Sequence, residues 1–238
     1  MADVLVIAMM ALLGLFVGAM LPTITQQAPG SEPLLAGAGA NEFIPFRRWF
    51  SPTNLPRWVV ISCELVTSVL FVFGGIRFGL GAQIPVYLLF FAALVVVTIV
   101  DLEHYRIPDR ITYPTFLAMA ALVVVGSIVQ GEPGRIGGAL IGAVIYFVAL
   151  LIPHLISPKG MGFGDVKLAL VLGLGLGWLN PTLILIALLI SSLLGVMLGI
   201  IAAVTRGKGT PFPFGPALAI GAVVTVLASS QLLERLGL

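Results

Sequence analysis

The stretch IPVYLLFFAALVVVTIV, residues 84–100, carries no charged side chain and is followed at once by Asp101. A helix that crosses the hydrocarbon core of a bilayer needs about 20 apolar residues, with a range of about 17–25. The stretch therefore predicts a membrane span that ends at a carboxylate. Because a charge inside a bilayer is costly, the position of Asp101 is as informative as the span itself.

The composition extends this interpretation to the whole chain. Of its 238 residues, 59% are hydrophobic and 9% are charged. Soluble domains carry about 25% charged residues, so a soluble globular enzyme is excluded, and a disordered chain is excluded by the high hydrophobicity. The net charge of +2 does not indicate a nucleic-acid partner. The single cysteine, Cys63, excludes an intrachain disulfide framework, and with only two histidines we expect no metal site.

Apolar runs between charges, prolines and glycine clusters predict an all-α, polytopic integral membrane bundle of about eight transmembrane helices. The predicted spans are residues 4–21, 58–78, 84–100, 111–130, 136–157, 166–179, 182–204 and 216–233. The first follows no basic segment, which favours a retained helix over a signal peptide. The sixth is short and rich in glycine, so a re-entrant or tilted helix is the alternative there. Its small residues would let neighbouring helices approach closely.

Basic residues predict the orientation, because Lys and Arg are retained on the cytoplasmic side. With eight spans, one set of alternate loops holds nine of the twelve basic residues, namely Arg47, Arg48, Arg57, Arg106, Arg110, Lys159, Lys167, Arg206 and Lys208. The other set holds three: Arg77, Arg135 and Arg235. The first set is therefore predicted to face the cytoplasm, with both termini outside. Four aromatic residues are predicted to lie in the interfacial belts: Trp49, Trp58, Tyr113 and Trp178.

Two carboxylates at the same predicted membrane face indicate a possible reaction. Asp101 ends the third span, and Asp165 precedes the sixth after Gly162 and Gly164. Taken singly, Asp101 could be a helix-end charge that meets water, and Asp165 could cap a helix after a glycine-rich turn. If the two helices pack together, one carboxyl would hold a proton while the other acts as a base, because neighbouring like charges do not easily both ionise. Such a pair can add water to a peptide carbonyl without a metal or a nucleophilic side chain.

Three further acidic residues lie near the spans. Asp109 follows Pro108 and is predicted to serve the N-terminus of the fourth helix, whose dipole favours a negative charge. Glu103 is expected to face water. Glu64 lies inside the second span, where an ionisable group is a functional candidate by default. The alternative for Glu64 is a protonated side chain that bridges two helices.

At these residues the sequence resembles the type IV prepilin peptidase family, bacterial membrane aspartyl proteases with a Gly-x-Gly-Asp motif. That motif is Gly162-Phe163-Gly164-Asp165, within the longer stretch 160–167. The first-aspartate segment also matches, as Ile99-Val100-Asp101 followed by Ile107-Pro108-Asp109-Arg110-Ile111-Thr112, and the two aspartates are 64 residues apart. A third match is Gly209-Thr210-Pro211-Phe212-Pro213-Phe214-Gly215-Pro216, which is similar to the family's Pro-Phe-Gly-Pro signature. The resemblance covers residues 58–238.

The resemblance implies removal of the short basic leader from type IV prepilins or pseudopilins. The reaction would take place at the cytoplasmic face of the bacterial cytoplasmic membrane. Asp101 and Asp165 carry over as the catalytic pair. Motif or substrate-positioning roles are implied for four residues: Gly162, Gly164, Lys167 and Glu64, the last in a stretch similar to the family's Glu-Leu-x-Thr. For Lys167 a simple cytoplasmic anchor is the alternative.

The resemblance also implies a division of the chain and a cofactor requirement. Residues 1–57 would form the first transmembrane helix and a divergent cytoplasmic loop, and residues 58–238 the membrane-embedded aspartyl peptidase domain. Many family members carry two Cys-x-x-Cys pairs in this loop, whereas residues 22–57 contain no cysteine. Proteolysis would need no cofactor. S-adenosylmethionine would be needed only if the chain also methylates the new N-terminus.

Two other classes of function are compatible with intramembrane carboxylates. The first is a small secondary transporter in which Asp101, Asp165 and Glu64 form a proton relay. Transporters place such groups near the bilayer midplane, whereas both aspartates here lie at predicted span ends, which disfavours this reading. The second is a non-catalytic assembly scaffold of a secretion system, against which an intact aspartate pair argues. The expected partners are prepilin or pseudopilin substrates and the lipid bilayer, with no nucleic acid.

Overall fold

The computed structural model describes residues 2–27, 55–158, 160–207 and 212–237. These residues form nine α-helices and no strand, which confirms the predicted all-α class. The helices are α1 (Ala2–Gln27), α2 (Arg57–Phe78), α3 (Ile84–His104), α4 (Asp109–Val129), α5 (Gly134–Ile156), α6 (Phe163–Leu179), α7 (Leu183–Arg206), α8 (Gly215–Leu227) and α9 (Ser229–Leu236). Most of the predicted loop 22–57 lies outside the described residues, as do Trp49 and four of the basic residues, Arg47, Arg48, Lys159 and Lys208.

The structure confirms a polytopic helical membrane bundle. Within the described residues, six helices are long and apolar enough to cross a membrane, namely α1 to α5 and α7. The bent pair α8 and α9 makes a seventh if it is counted as one span. Length and composition thus identify six or seven spans among the described residues, because α6 with its 17 residues is at the lower limit for a span and the last apolar stretch is bent. The count of eight stays a prediction.

The first helix is longer than predicted. It runs from Ala2 to Gln27 and contains Pro22, where the sequence predicted an end at residue 21. The hydroxyl of Thr25 donates a hydrogen bond of 2.7 Å to the carbonyl of Pro22. Pro22 removes the N–H donor to the Gly18 carbonyl but does not end α1, a loss that membrane helices tolerate.

The predicted last span, 216–233, is not one straight helix. α8 and α9 meet at Ala228 with a bend of 68°. Ser229, Ser230 and Gln231 open α9 with polar side chains, which makes it a poor continuation of an apolar span. Arg77 of α2 donates a hydrogen bond of 2.9 Å to the Ser229 hydroxyl and fixes this corner.

The short helix α6 lies in the centre of the bundle, with nearly every residue from Asp165 to Trp178 buried. Its glycines face the glycines of α5. A Cβ atom on Gly177 would lie 2.8 Å from the Cα atom of Gly142, and one on Gly138 would lie 2.8 Å from the Gly177 carbonyl oxygen. The predicted close approach of a neighbouring helix is therefore confirmed, because only residues without a side chain fit this crossing.

Trp178 lies in the core and not in an interfacial belt, which corrects the prediction. Its side chain is fully buried, and its indole N–H donates a 2.8 Å hydrogen bond to the Ser127 hydroxyl on α4. The ring of Tyr87 of α3 stacks on the indole, with 6.1 Å between the ring centroids. The Tyr87 hydroxyl donates a hydrogen bond of 2.9 Å to the Gly175 carbonyl. Because each of these polar groups has a hydrogen-bond partner, its burial costs little free energy.

Short connections join successive contacting helices from α2 to α7, so the helix termini alternate between the two ends of the bundle. One end holds the last turn of α3 and the first turns of α4 and α6. Five of the described basic residues lie at this same end: Arg57, Arg106, Arg110, Lys167 and Arg206. Arg77 and Arg135 lie at the opposite end.

Candidate active site

Asp101 lies in the last turn of α3, with 4% of its surface exposed. Its Oδ2 accepts a hydrogen bond of 2.8 Å from the backbone N–H of Gly215, the first residue of α8. A Cβ atom on Gly215 would lie only 2.7 Å from that oxygen. The third motif of the sequence therefore contributes a backbone donor to the first aspartate, and glycine is needed for the approach. Residues 209–211 of that motif lie outside the described residues.

Asp165 lies in the first turn of α6, whose N-cap is Gly162, so Asp165 is not itself the cap. It has 7% of its surface exposed. Its carboxyl interacts with the backbone N–H of Gly162 and lies close enough to Asp101 for the charge of Asp101 to act on it. The structure therefore brings both predicted aspartates to one buried place at one end of the bundle.

Gly164 is one point where the two aspartate-bearing segments touch. A Cβ atom there would lie 3.0 Å from the Cβ atom of Ile107 and 3.3 Å from its backbone nitrogen. Ile107 follows α3 and is itself buried. A larger residue at 164 would push α6 away from the segment that follows Asp101, which gives the second glycine of the motif a physical role.

Lys167 makes an ion pair that the sequence analysis missed. Its ammonium group donates to both carboxylate oxygens of Asp109, at 2.7 and 2.8 Å. Asp109 still lies in the first turn of α4, as predicted, but its carboxylate is bound to α6. The sequence held a signal for this ion pair. Asp109 and Lys167 carry opposite charges and lie on segments that were expected to pack together.

A histidine supports the loop before α6. His154, in the last turn of α5, has its Nδ1 atom 2.8 Å from the carbonyl oxygen of Met161, and its ring lies 5.3 Å from the ring of Phe163. The sequence does not single out His154 for this role, because seven residues and a turn separate it from Met161. The contact ties the glycine-rich loop to the end of α5.

The described site matches a known family. The model of the type IV leader peptidase family matches residues 88–200, which include both aspartates and Lys167. A prepilin leader peptidase/N-methyltransferase of Bacillus subtilis is 31% identical over 175 residues, covering 73% of this chain and 67% of the relative.

The chain belongs to the type IV leader peptidase family.

Two further relatives are also named prepilin leader peptidase/N-methyltransferase. The protein of Xanthomonas campestris pv. campestris is 36% identical over 177 residues, covering 72% of this chain and 59% of the relative. The protein of Pseudomonas aeruginosa is 33% identical over 178 residues, covering 71% of this chain and 58% of the relative. The chain thus spans somewhat less than two thirds of the length of these two relatives. No solved structure gives a significant match.

Glu64 lies outside the sequence motifs of this leader peptidase family member. It is on α2, where its Cα atom is 2.6 Å from the position of a Cβ atom on Gly18 of α1. Its side chain is partly buried. The residues matched by the family model begin at 88 and do not include it. The structure therefore groups five of the six predicted site residues, Asp101, Gly162, Gly164, Asp165 and Lys167, and places Glu64 on the α1–α2 crossing.

The chemistry available at this end of the bundle is that of two buried carboxyl groups. The carboxyl of Asp101 interacts with the backbone N–H of Gly215, and that of Asp165 with the backbone N–H of Gly162. Two neighbouring buried carboxyls favour a shared proton over two negative charges. Such a pair can hold a base and an acid side by side.

Proposed function

We propose that this family member is an aspartic endopeptidase that removes the leader of type IV prepilins or pseudopilins. The observation that carries the proposal is that Asp101 and Asp165, 64 residues apart in the chain, are both buried at the same end of the bundle, where Gly164 touches Ile107. Family membership supports a peptidase, and three relatives are named prepilin leader peptidase/N-methyltransferase. Residues 58–238 would form the peptidase domain.

In the proposed mechanism the ionised aspartate takes a proton from water, which attacks the scissile carbonyl. The protonated aspartate donates a hydrogen bond to the carbonyl oxygen and later gives a proton to the leaving amine. The N–H groups of Gly215 and Gly162 would hold the two carboxyls in place. No metal and no nucleophilic side chain take part.

We place the site at the cytoplasmic face of the bacterial cytoplasmic membrane. The support is the grouping of five described basic residues at the end of the bundle that carries both aspartates, because Lys and Arg are retained on that side. A transporter is not favoured, because the aspartates lie at helix ends and the chain belongs to a peptidase family.

Methylation of the new N-terminus is a separate question. The relatives are named as N-methyltransferases as well, and that activity would use S-adenosylmethionine. Among the described residues nothing locates a site for this cofactor, so the peptidase reaction is proposed without it. The mass of the processed pilin reports leader removal and methylation as two distinct changes.

The test is co-expression with a prepilin substrate in a host without its own peptidase. Asp101→Asn and Asp165→Asn should each lower cleavage by about 10²–10⁴-fold or more, the usual contribution of a general acid or base, while the protein remains inserted and folded. Glu103→Gln is the matched control, since its exposed carboxylate is two residues from Asp101 and should be dispensable. Full cleavage by both asparagine variants would contradict the catalytic role of the aspartate pair.

A further inference from the structure

We propose that Asp109 and Lys167 form a positioning clamp that holds the two aspartate-bearing segments in register, an inference that rests on the proposed peptidase function. Asp109 lies eight residues after Asp101, and Lys167 lies two residues after Asp165. Their ion pair therefore joins the segment that follows one carboxyl to the helix that carries the other. Neither residue is a catalytic residue, because each acts through the position of an aspartate.

The geometry of the pair is that of a built contact. The lysine ammonium contacts both carboxylate oxygens, at 2.7 and 2.8 Å, and the two side chains are 18% and 23% exposed. The ammonium also lies 5.0 Å from the ring centroid of Phe163 and 5.6 Å from that of Tyr113. A partly buried charge with a paired carboxylate and two aromatic faces is held more firmly than an exposed surface pair.

The helix dipoles indicate why the lysine is there. Asp109 in the first turn of α4 faces the positive end of its own helix, which stabilises a carboxylate. Lys167 lies near the N-terminal end of α6, where a cation gains nothing from the dipole. Its position is therefore explained by the contact with α4 rather than by the stability of its own helix.

The clamp is the second of two contacts that join α6 to the segment after Asp101. Gly164 of α6 touches Ile107, and Lys167, three residues further on, binds Asp109 two residues beyond Ile107. Two contacts one helical turn apart fix both the distance and the rotation of α6 relative to the segment after Asp101. A displacement of about 1 Å at a reacting group can cost about 10²-fold in rate, so this register matters for the reaction.

The experiment measures kcat and KM separately with a purified prepilin substrate. Lys167→Met and Asp109→Asn should each lower kcat by about 10–100-fold with little change in KM. Lys167→Arg, which keeps the charge, should recover most of the lost kcat. Arg57→Met is the control for loss of an exposed basic anchor at the same end and should leave both constants unchanged.

Three outcomes would overturn the clamp. The first is a wild-type kcat in both single variants. The second is a raised KM for Lys167→Met alone, with Asp109→Asn unaffected, which would make the lysine a reader of substrate charge. The third is failure of Lys167→Arg to recover kcat although thermal unfolding shows that this variant is folded. Loss of the clamp leaves the proposed function intact, because that function fails only if the asparagine variants of Asp101 and Asp165 remain active.

Discussion

Helices α3 and α7 are both apolar enough to cross a membrane, yet they have opposite surroundings. In α3, 72% of the apolar stretch is buried inside the bundle, whereas in α7 the share is 22%. The aromatic residues Tyr87, Phe90 and Phe91 of α3 are fully buried, while α7 turns leucine and isoleucine side chains outwards. An apolar helix can thus pack against either protein or lipid. Its polar groups and glycines, rather than its hydrophobicity, indicate which of the two surrounds it.

The largest effect is expected where α3 is most crowded, at its aspartate. Gly215→Ala would place a methyl group 2.7 Å from Asp101 Oδ2, so the carboxyl must shift or lose its N–H donor. Cleavage should fall by about 100-fold or more. Gly137→Ala on α5 is the matched control, because a Cβ atom there meets nothing within 4 Å. Equal activity of the two variants in the cleavage assay would mean that α8 does not hold Asp101.

A pair of identical substitutions tests the difference between the two helices directly. Leu94 of α3 is 2% exposed and Leu193 of α7 is 64% exposed. Leu94→Ala should lower the free energy of unfolding by about 2–5 kcal/mol, because it leaves a cavity in the bundle. Leu193→Ala should change it by about 0.5 kcal/mol or less. The measurement is reversible unfolding in detergent micelles, and equal losses would show that α7 is also covered by protein.

The smallest effect is expected on α2, another helix with little burial. Glu64 lies on the α1–α2 crossing, outside the segments that carry the motifs. Glu64→Gln keeps the shape and the capacity to bridge helices, so we expect unchanged cleavage and a change in stability of about 0.5 kcal/mol or less. A loss of cleavage as large as that of Asp165→Asn would instead place Glu64 in the site.

The sequence predicts the helices well where an apolar run is bounded by charge or by a turn. It predicts less well where a polar group finds a partner that is distant in the chain. Trp178 is buried because Ser127 of another helix accepts its N–H. That partner cannot be read from local hydrophobicity, which carries no information on contacts between helices.

The site follows the same rule. The glycine motif and the carboxylate at the end of the third span identify Asp165 and Asp101, because a charge is costly at those places and glycine permits close approach. The bond from Gly215 and the ion pair of Asp109 with Lys167 depend on how α3, α4, α6 and α8 meet. Those contacts are tertiary, so a pattern along the chain could suggest the residues but not the bonds.

The crossing of α5 and α6 has a mechanical consequence. Crowded side chains can yield by changing rotamer, but at Gly142 and Gly177 the main chains themselves are in contact and have no such freedom. The helix that carries Asp165 is consequently braced along one flank. Asp101 is instead held by a hydrogen bond from a backbone N–H of α8, a contact that can lengthen without moving one main chain past another.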